Sequence, residues 1–105
     1  MLDADKIFER IMAAAEEWKV ADEKWRTLKE MEPIVLAEIT NQADGESFAE
    51  RRSKALASAE YKLHKTRKIT AETERNILLA RYKAAQSWSE LRRSEESTRR
   101  QEMKL

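Results

Sequence analysis

The sequence predicts an all-α fold: an elongated antiparallel hairpin of two long helices, coiled-coil-like, assembling as a homo-oligomer. Three observations predict it. The 105 residues include one Gly and one Pro, too few for the tight turns of a sheet-rich fold. Apolar residues in the N-terminal part recur on a heptad, the period of helices that pack along a seam. Beyond Gly45 the chain has neither Gly nor Pro, so nothing in the backbone chemistry stops a second long helix.

The first helix is expected over Ala4–Gln42. Asp3 or Asp5 can cap it, because a short carboxylate accepts from free N–H groups and suits the positive end of the helix dipole. Its a-type positions are Ala4, Ile11, Trp18, Trp25, Glu32 and Ile39; its d-type positions are Ile7, Ala14, Ala21, Leu28, Val35 and Gln42. Only Glu32 and Gln42 break the apolar pattern. Pro33 lacks a backbone donor and crowds the preceding turn, which predicts a kink over Met31–Pro33.

The turn is expected over residues 43–46, with Gly45 in the left-handed conformation that commonly ends helices. Ser47 and Glu50 then read as a capping box, each side chain satisfying a free N–H of the other's turn. The second helix follows over 47–103. Its a-type positions are Leu56, Leu63, Thr70, Ile77, Ala84, Leu91 and Thr98; its d-type positions are Ala59, Thr66, Thr73, Ala80, Ser87, Ser94 and Gln101. The polar run Thr66, Thr70, Thr73 predicts a soft point or kink near Ile69–Thr70. A second apolar line, Leu78, Tyr82, Ala85 and Trp88, lies on another face, and a helix with two apolar faces has two partners.

At 1.5 Å per residue the first helix is about 58 Å long and the second about 84 Å. Folded about Asp44-Gly45, Ala4 falls opposite Ala84 or Ala85, and residues 88–105 overhang as a basic extension of this single domain. Two helices share one seam and bury little. Trp18, Trp25, Leu28, Trp88 and Leu91 are therefore expected to pack within and between protomers.

Several function classes are excluded. Without Cys there is no disulfide, no thiol chemistry and no cysteine zinc site. One Gly leaves no material for a phosphate-cradling loop. No apolar run approaches the ~18–20 residues of a membrane span, and the start lacks the basic region of a secretory signal. The expectation is a soluble, intracellular protein with no membrane partner. His64, the only histidine, shares a helix face with Glu60, giving two ligands at most, so no metal, cofactor or catalytic residue is expected.

Charge is divided. Residues 1–50 sum to −7 and residues 51–105 to +8, which together give the net +1. Either the two helices attract each other, or the basic half meets a polyanion; the two are compatible if cations remain outside the pairing. Two clusters are candidates. Lys62, Lys65, Arg67 and Lys68 lie beside Tyr61, a combination that suits phosphates and a stacked base. Arg92, Arg93, Arg99 and Arg100 form two pairs seven residues apart, and the planar guanidinium binds phosphate bidentately.

The stretches Ala80–Gln86 and Ser97–Met103 resemble small accessory proteins of tailed phages, and the layout of residues 50–103 is similar to UvsY-type recombination mediators. That resemblance implies a small helical oligomer that binds single-stranded DNA and helps load a recombinase. WXG-type secreted hairpins share the length, but their turn carries Trp-x-Gly, whereas this turn is Asp44-Gly45 without Trp. The expected function is thus non-enzymatic binding of single-stranded nucleic acid. The alternative is a protein-binding module, either a phage inhibitor of a host factor or a scaffold or assembly protein.

Overall fold

The computed structural model describes residues 4–104, which form three helices joined by short turns, with no strand among them. Helix α1 spans Ala4–Gln42, α2 spans Phe48–Leu56 and α3 spans Ala59–Lys104. Asp3 lies outside the described residues; Asp5 sits inside the first turn of α1, where its charge faces the positive dipole end. Helix α1 runs unbroken through Pro33, whose ring is on the exposed side.

The heptad of α1 holds. Ile7, Ile11, Ala14, Trp18, Ala21, Trp25, Leu28, Glu32, Val35 and Ile39 are all buried or half-buried, and only the end positions Ala4 and Gln42 are exposed.

The turn differs in detail. Gly45 does not take positive φ. What it supplies is space: a Cβ there would stand 3.1 Å from Arg51 Cγ and 3.2 Å from Glu50 Cδ. Through that gap Arg51 Nη1 donates to the Gly45 carbonyl at 3.1 Å, and Lys54 Nζ donates to the Asp44 carbonyl at 2.7 Å. Ser47 caps α2 as expected, its Oγ accepting from Glu50 N at 3.1 Å. The Glu50 carboxylate in turn accepts from Glu46 N, one residue before the cap.

The expected single helix over 47–103 is two helices. The break falls at Ala57–Ser58, and α3 continues through Thr70 without interruption. Ser58 is the cause: its Oγ donates to the Ala55 carbonyl at 2.6 Å and accepts from Tyr61 N at 3.2 Å. One hydroxyl therefore closes the end of α2 and caps the start of α3. Thr66 and Thr73 stay helical by bonding back to the carbonyls of Lys62 and Ile69.

The seam of α3 is also displaced. Every expected a- and d-type position from Leu56 to Gln101 is exposed. The covered line is instead Tyr61, His64, Lys68, Ala71, Arg75, Leu78, Tyr82, Ala85, Ser89 and Arg92, itself a heptad. Leu78, Tyr82 and Ala85, the expected secondary line, belong to it, whereas Trp88 is 42% exposed.

The chain forms two compact units. One comprises Ala21–Arg75, and the other the residues up to Val20 with those from Asn76 onward. Among the described residues all buried ones lie in the Ala21–Arg75 unit: Ala21, Asp22, Thr40, Ala55, Tyr61, His64 and Ala71.

Candidate functional site

In the Ala21–Arg75 unit, three polar connections join α1 to α3. The first centres on Asp22, 7% exposed. Its carboxylate accepts from Arg75 Nε at 2.7 Å, and Arg26 Nε lies 2.9 Å from its other oxygen as an ion pair. The Arg75 guanidinium also stands 5.1 Å from the centre of the Trp25 ring, which is attractive because the ring face is electron-rich.

The second connection is His64. Its Nε2 lies 2.8 Å from the Leu28 carbonyl oxygen, and since a carbonyl only accepts, Nε2 carries the hydrogen. The only histidine is thereby occupied with backbone.

The third is Glu32, expected to be an interruption of the heptad. Lys68 Nζ donates to Oε2, Tyr61 Oη donates to Oε1 at 3.1 Å, and Lys65 Nζ lies 3.6 Å from Oε1. The Lys68 bond is the largest influence on its carboxyl, holding the pKa below the ordinary glutamate range against the opposing cost of partial burial; the Tyr61 bond and the charges of Lys68 and Lys65 act in the same direction as the first.

The basic cluster read from the sequence is therefore divided. Lys65 and Lys68 are paired with Glu32, and Lys65 also stands 5.6 Å from the centre of the Tyr61 ring. Lys62 and Arg67 are exposed on other sides of α3.

The C-terminal cluster is more open. Arg93, Arg99 and Arg100 are exposed and make no ion pair with any described residue. Arg92 is half-buried with its guanidinium 5.6 Å from the centre of the Trp88 ring. In the same unit Trp18 and Tyr82 stack at 6.0 Å with planes 1° apart. Ile7, Arg10, Ile11, Ala85 and Trp88 line an open cleft of about 190 Å³ there.

Trp18, Trp25 and Leu28 are half-buried, while Leu91 is 58% exposed. The Nε1–H groups of Trp18 and Trp25 are buried without an acceptor among the described residues, and nothing in the structure explains either. Sequence reasoning missed Asp22, Arg75 and Ser58. Asp22 and Arg75 are 53 residues apart, so only the seam of α3 in its observed register brings them together.

Chemically, the arrangement offers structural ion pairs, one engaged histidine and a set of guanidinium groups without an ion pair among the described residues. Comparisons with protein-family models, with curated proteins and with solved structures found no match.

Proposed function

We propose that this chain is a non-enzymatic accessory protein that binds single-stranded nucleic acid as a homo-oligomer of antiparallel helical hairpins. Its place is the cytoplasm of a phage-infected bacterium, and its protein partner is a recombinase. The observation that carries the reading is the open C-terminal set, Arg93, Arg99 and Arg100, exposed and without ion pairs among the described residues. Free guanidinium groups on one end of a helix attract phosphate and release its counterions. Arg92 stands over Trp88 and adds an aromatic surface beside the charges. The likeness of Ala80–Gln86 and Ser97–Met103 to phage accessory proteins supports the same reading. Lys62 and Arg67 are secondary phosphate ligands; Lys65 and Lys68 serve Glu32 first.

The test is a binding isotherm with single-stranded DNA at two salt concentrations. Replacing Arg92, Arg93, Arg99 and Arg100 by Gln lowers the salt slope by ~0.7 for each phosphate that is no longer neutralised, while Gln preserves the helix. Absence of DNA binding by the parent chain at low salt overturns the nucleic-acid reading. The second reading, a protein-binding scaffold or inhibitor, then takes its place; the exposed Ile77 and Leu91 favour it.

A further inference from the structure

Helix α3 has a second face. In the unit made by residues up to Val20 and from Asn76 onward, Leu78, Tyr82, Ala85, Ser89 and Arg92 form the covered line. About 150° round the helix axis, Ile77, Ala80, Ala84, Ser87, Leu91 and Ser94 recur at alternating spacings of three and four residues. All six are exposed and none is charged, on a helix otherwise dense in charge. Ile77 is 51% and Leu91 58% exposed, and Trp88 borders them at 42%. No described residue of this unit is buried. It is the part of the chain with most to gain from a cover.

The borders of this face say what covers it. Lys83 and Glu90 lie along one border and Arg81 and Trp88 along the other, each pair seven residues apart. Lys83 and Glu90 make no ion pair with a described residue. We propose that a second copy of this chain docks here antiparallel, about a two-fold axis between Ala84 and Ser87; this rests on the homo-oligomer part of the proposed function.

In this register Ala84 meets Ser87 of the second copy, Ala80 meets Leu91, and Ile77 meets Ser94. Each large side chain faces a small one, so the helices approach closely. The borders complement themselves: Lys83 faces Glu90 twice, and Arg81 stands against Trp88 twice. A parallel in-register pair places Glu90 against Glu95 instead, which repels. The like-charge approach in the antiparallel arrangement is Glu95 towards Glu74, at the exposed ends of the patch.

The chain contains no cysteine, so single cysteines report the geometry in the full-length protein. Ala84→Cys mixed with Ser87→Cys gives a disulfide-linked pair on mild oxidation, and Ser94→Cys alone does not. Glu90→Lys weakens the dimer about tenfold by sedimentation, and Lys83→Glu with Glu90→Lys restores it. Circular dichroism of each variant confirms the same helix content. A monomer at micromolar concentration overturns both this surface and the oligomer. Self-linking of Ser94→Cys, or a dimer indifferent to Glu90→Lys, overturns this surface alone. A dimer with the expected cross-links that binds no DNA leaves it standing and overturns the nucleic-acid reading.

Discussion

The two units of this chain are held together in different ways. In Ala21–Arg75 the seam carries Asp22, Glu32, Tyr61, His64, Lys68 and Arg75, and the polar groups meet across it at named distances. In the unit containing Trp18 and Tyr82 those two rings stack at 6.0 Å, and no described residue is buried. Apolar packing is non-directional, so it fixes register less sharply than a hydrogen bond does. A bond such as His64 Nε2–H to the Leu28 carbonyl is satisfied in one register only. The difference teaches that one unit takes its alignment from polar pairs and the other its contact from stacked rings.

The comparison breaks most sharply at Trp18. Trp18→Ala removes one of two stacked rings from a unit with no buried residue to compensate. The expected loss is ~3 kcal/mol, at the lower end for a large aromatic because the ring is only half-buried. Native-state hydrogen exchange locates it: amides in residues 4–20 and 76–103 lose protection, while those around Ala55, Tyr61 and Ala71 keep theirs. A uniform loss along the chain contradicts the division between the units.

A smaller effect is expected at Asp22. Asp22→Ala removes the carboxylate shared by Arg26 and Arg75 and leaves a half-buried guanidinium without it. The expected cost is ~2 kcal/mol in chemical denaturation. A double-mutant cycle with Arg75→Ala isolates the pair, and about half of that cost belongs to the coupling. Strict additivity shows that the pair contributes nothing beyond its separate members.

The helical class, the heptad of α1 and the Ser47 cap were legible because each depends on residues close in sequence. Ten apolar positions at fixed spacing in Ala4–Gln42 leave one face to bury. Helix α3 was not legible in the same way. Its apolar line through Leu63, Ile77 and Leu91 is the better stripe by composition, yet it lies exposed. The covered line contains Lys68, Arg75 and Arg92, which any hydrophobic count rejects. Their burial follows from partners on α1, namely Asp22 and Glu32, and from Trp88 for Arg92. Such pairing depends on the register, which the register-blind heptad cannot supply. The Ala57–Ser58 break was illegible for a local reason: a lone Ser before Ala-Glu-Tyr is an ordinary helical residue until its hydroxyl bonds both Ala55 and Tyr61.

The finest distinction between the units is their response to acid. Glu32 is held ionised below the ordinary glutamate range, chiefly by the Lys68 bond, with partial burial opposing and Tyr61 and the two lysine charges assisting. A depressed carboxyl binds its proton less readily in the folded state than in the unfolded one. Its contribution is therefore fully present above the ordinary glutamate value and is lost as pH falls through the lowered one. Because Glu32 is partly solvated, water screens much of the interaction and the change is below about 1 kcal/mol. Thermal unfolding from pH 6 down to pH 3 therefore shows a shallow acid-side loss of midpoint. Glu32→Gln keeps the shape and the Tyr61 bond but cannot lose a charge, so the same titration flattens. Within the comparison, protection of amides near Leu28 and Tyr61 falls with acid in the parent chain and stays level in Glu32→Gln. Amides beside Trp18 and Tyr82 show no difference between the two proteins at any pH. A parallel acid response in the variant places the titrating group elsewhere and removes Glu32 from the polar alignment of α1 with α3.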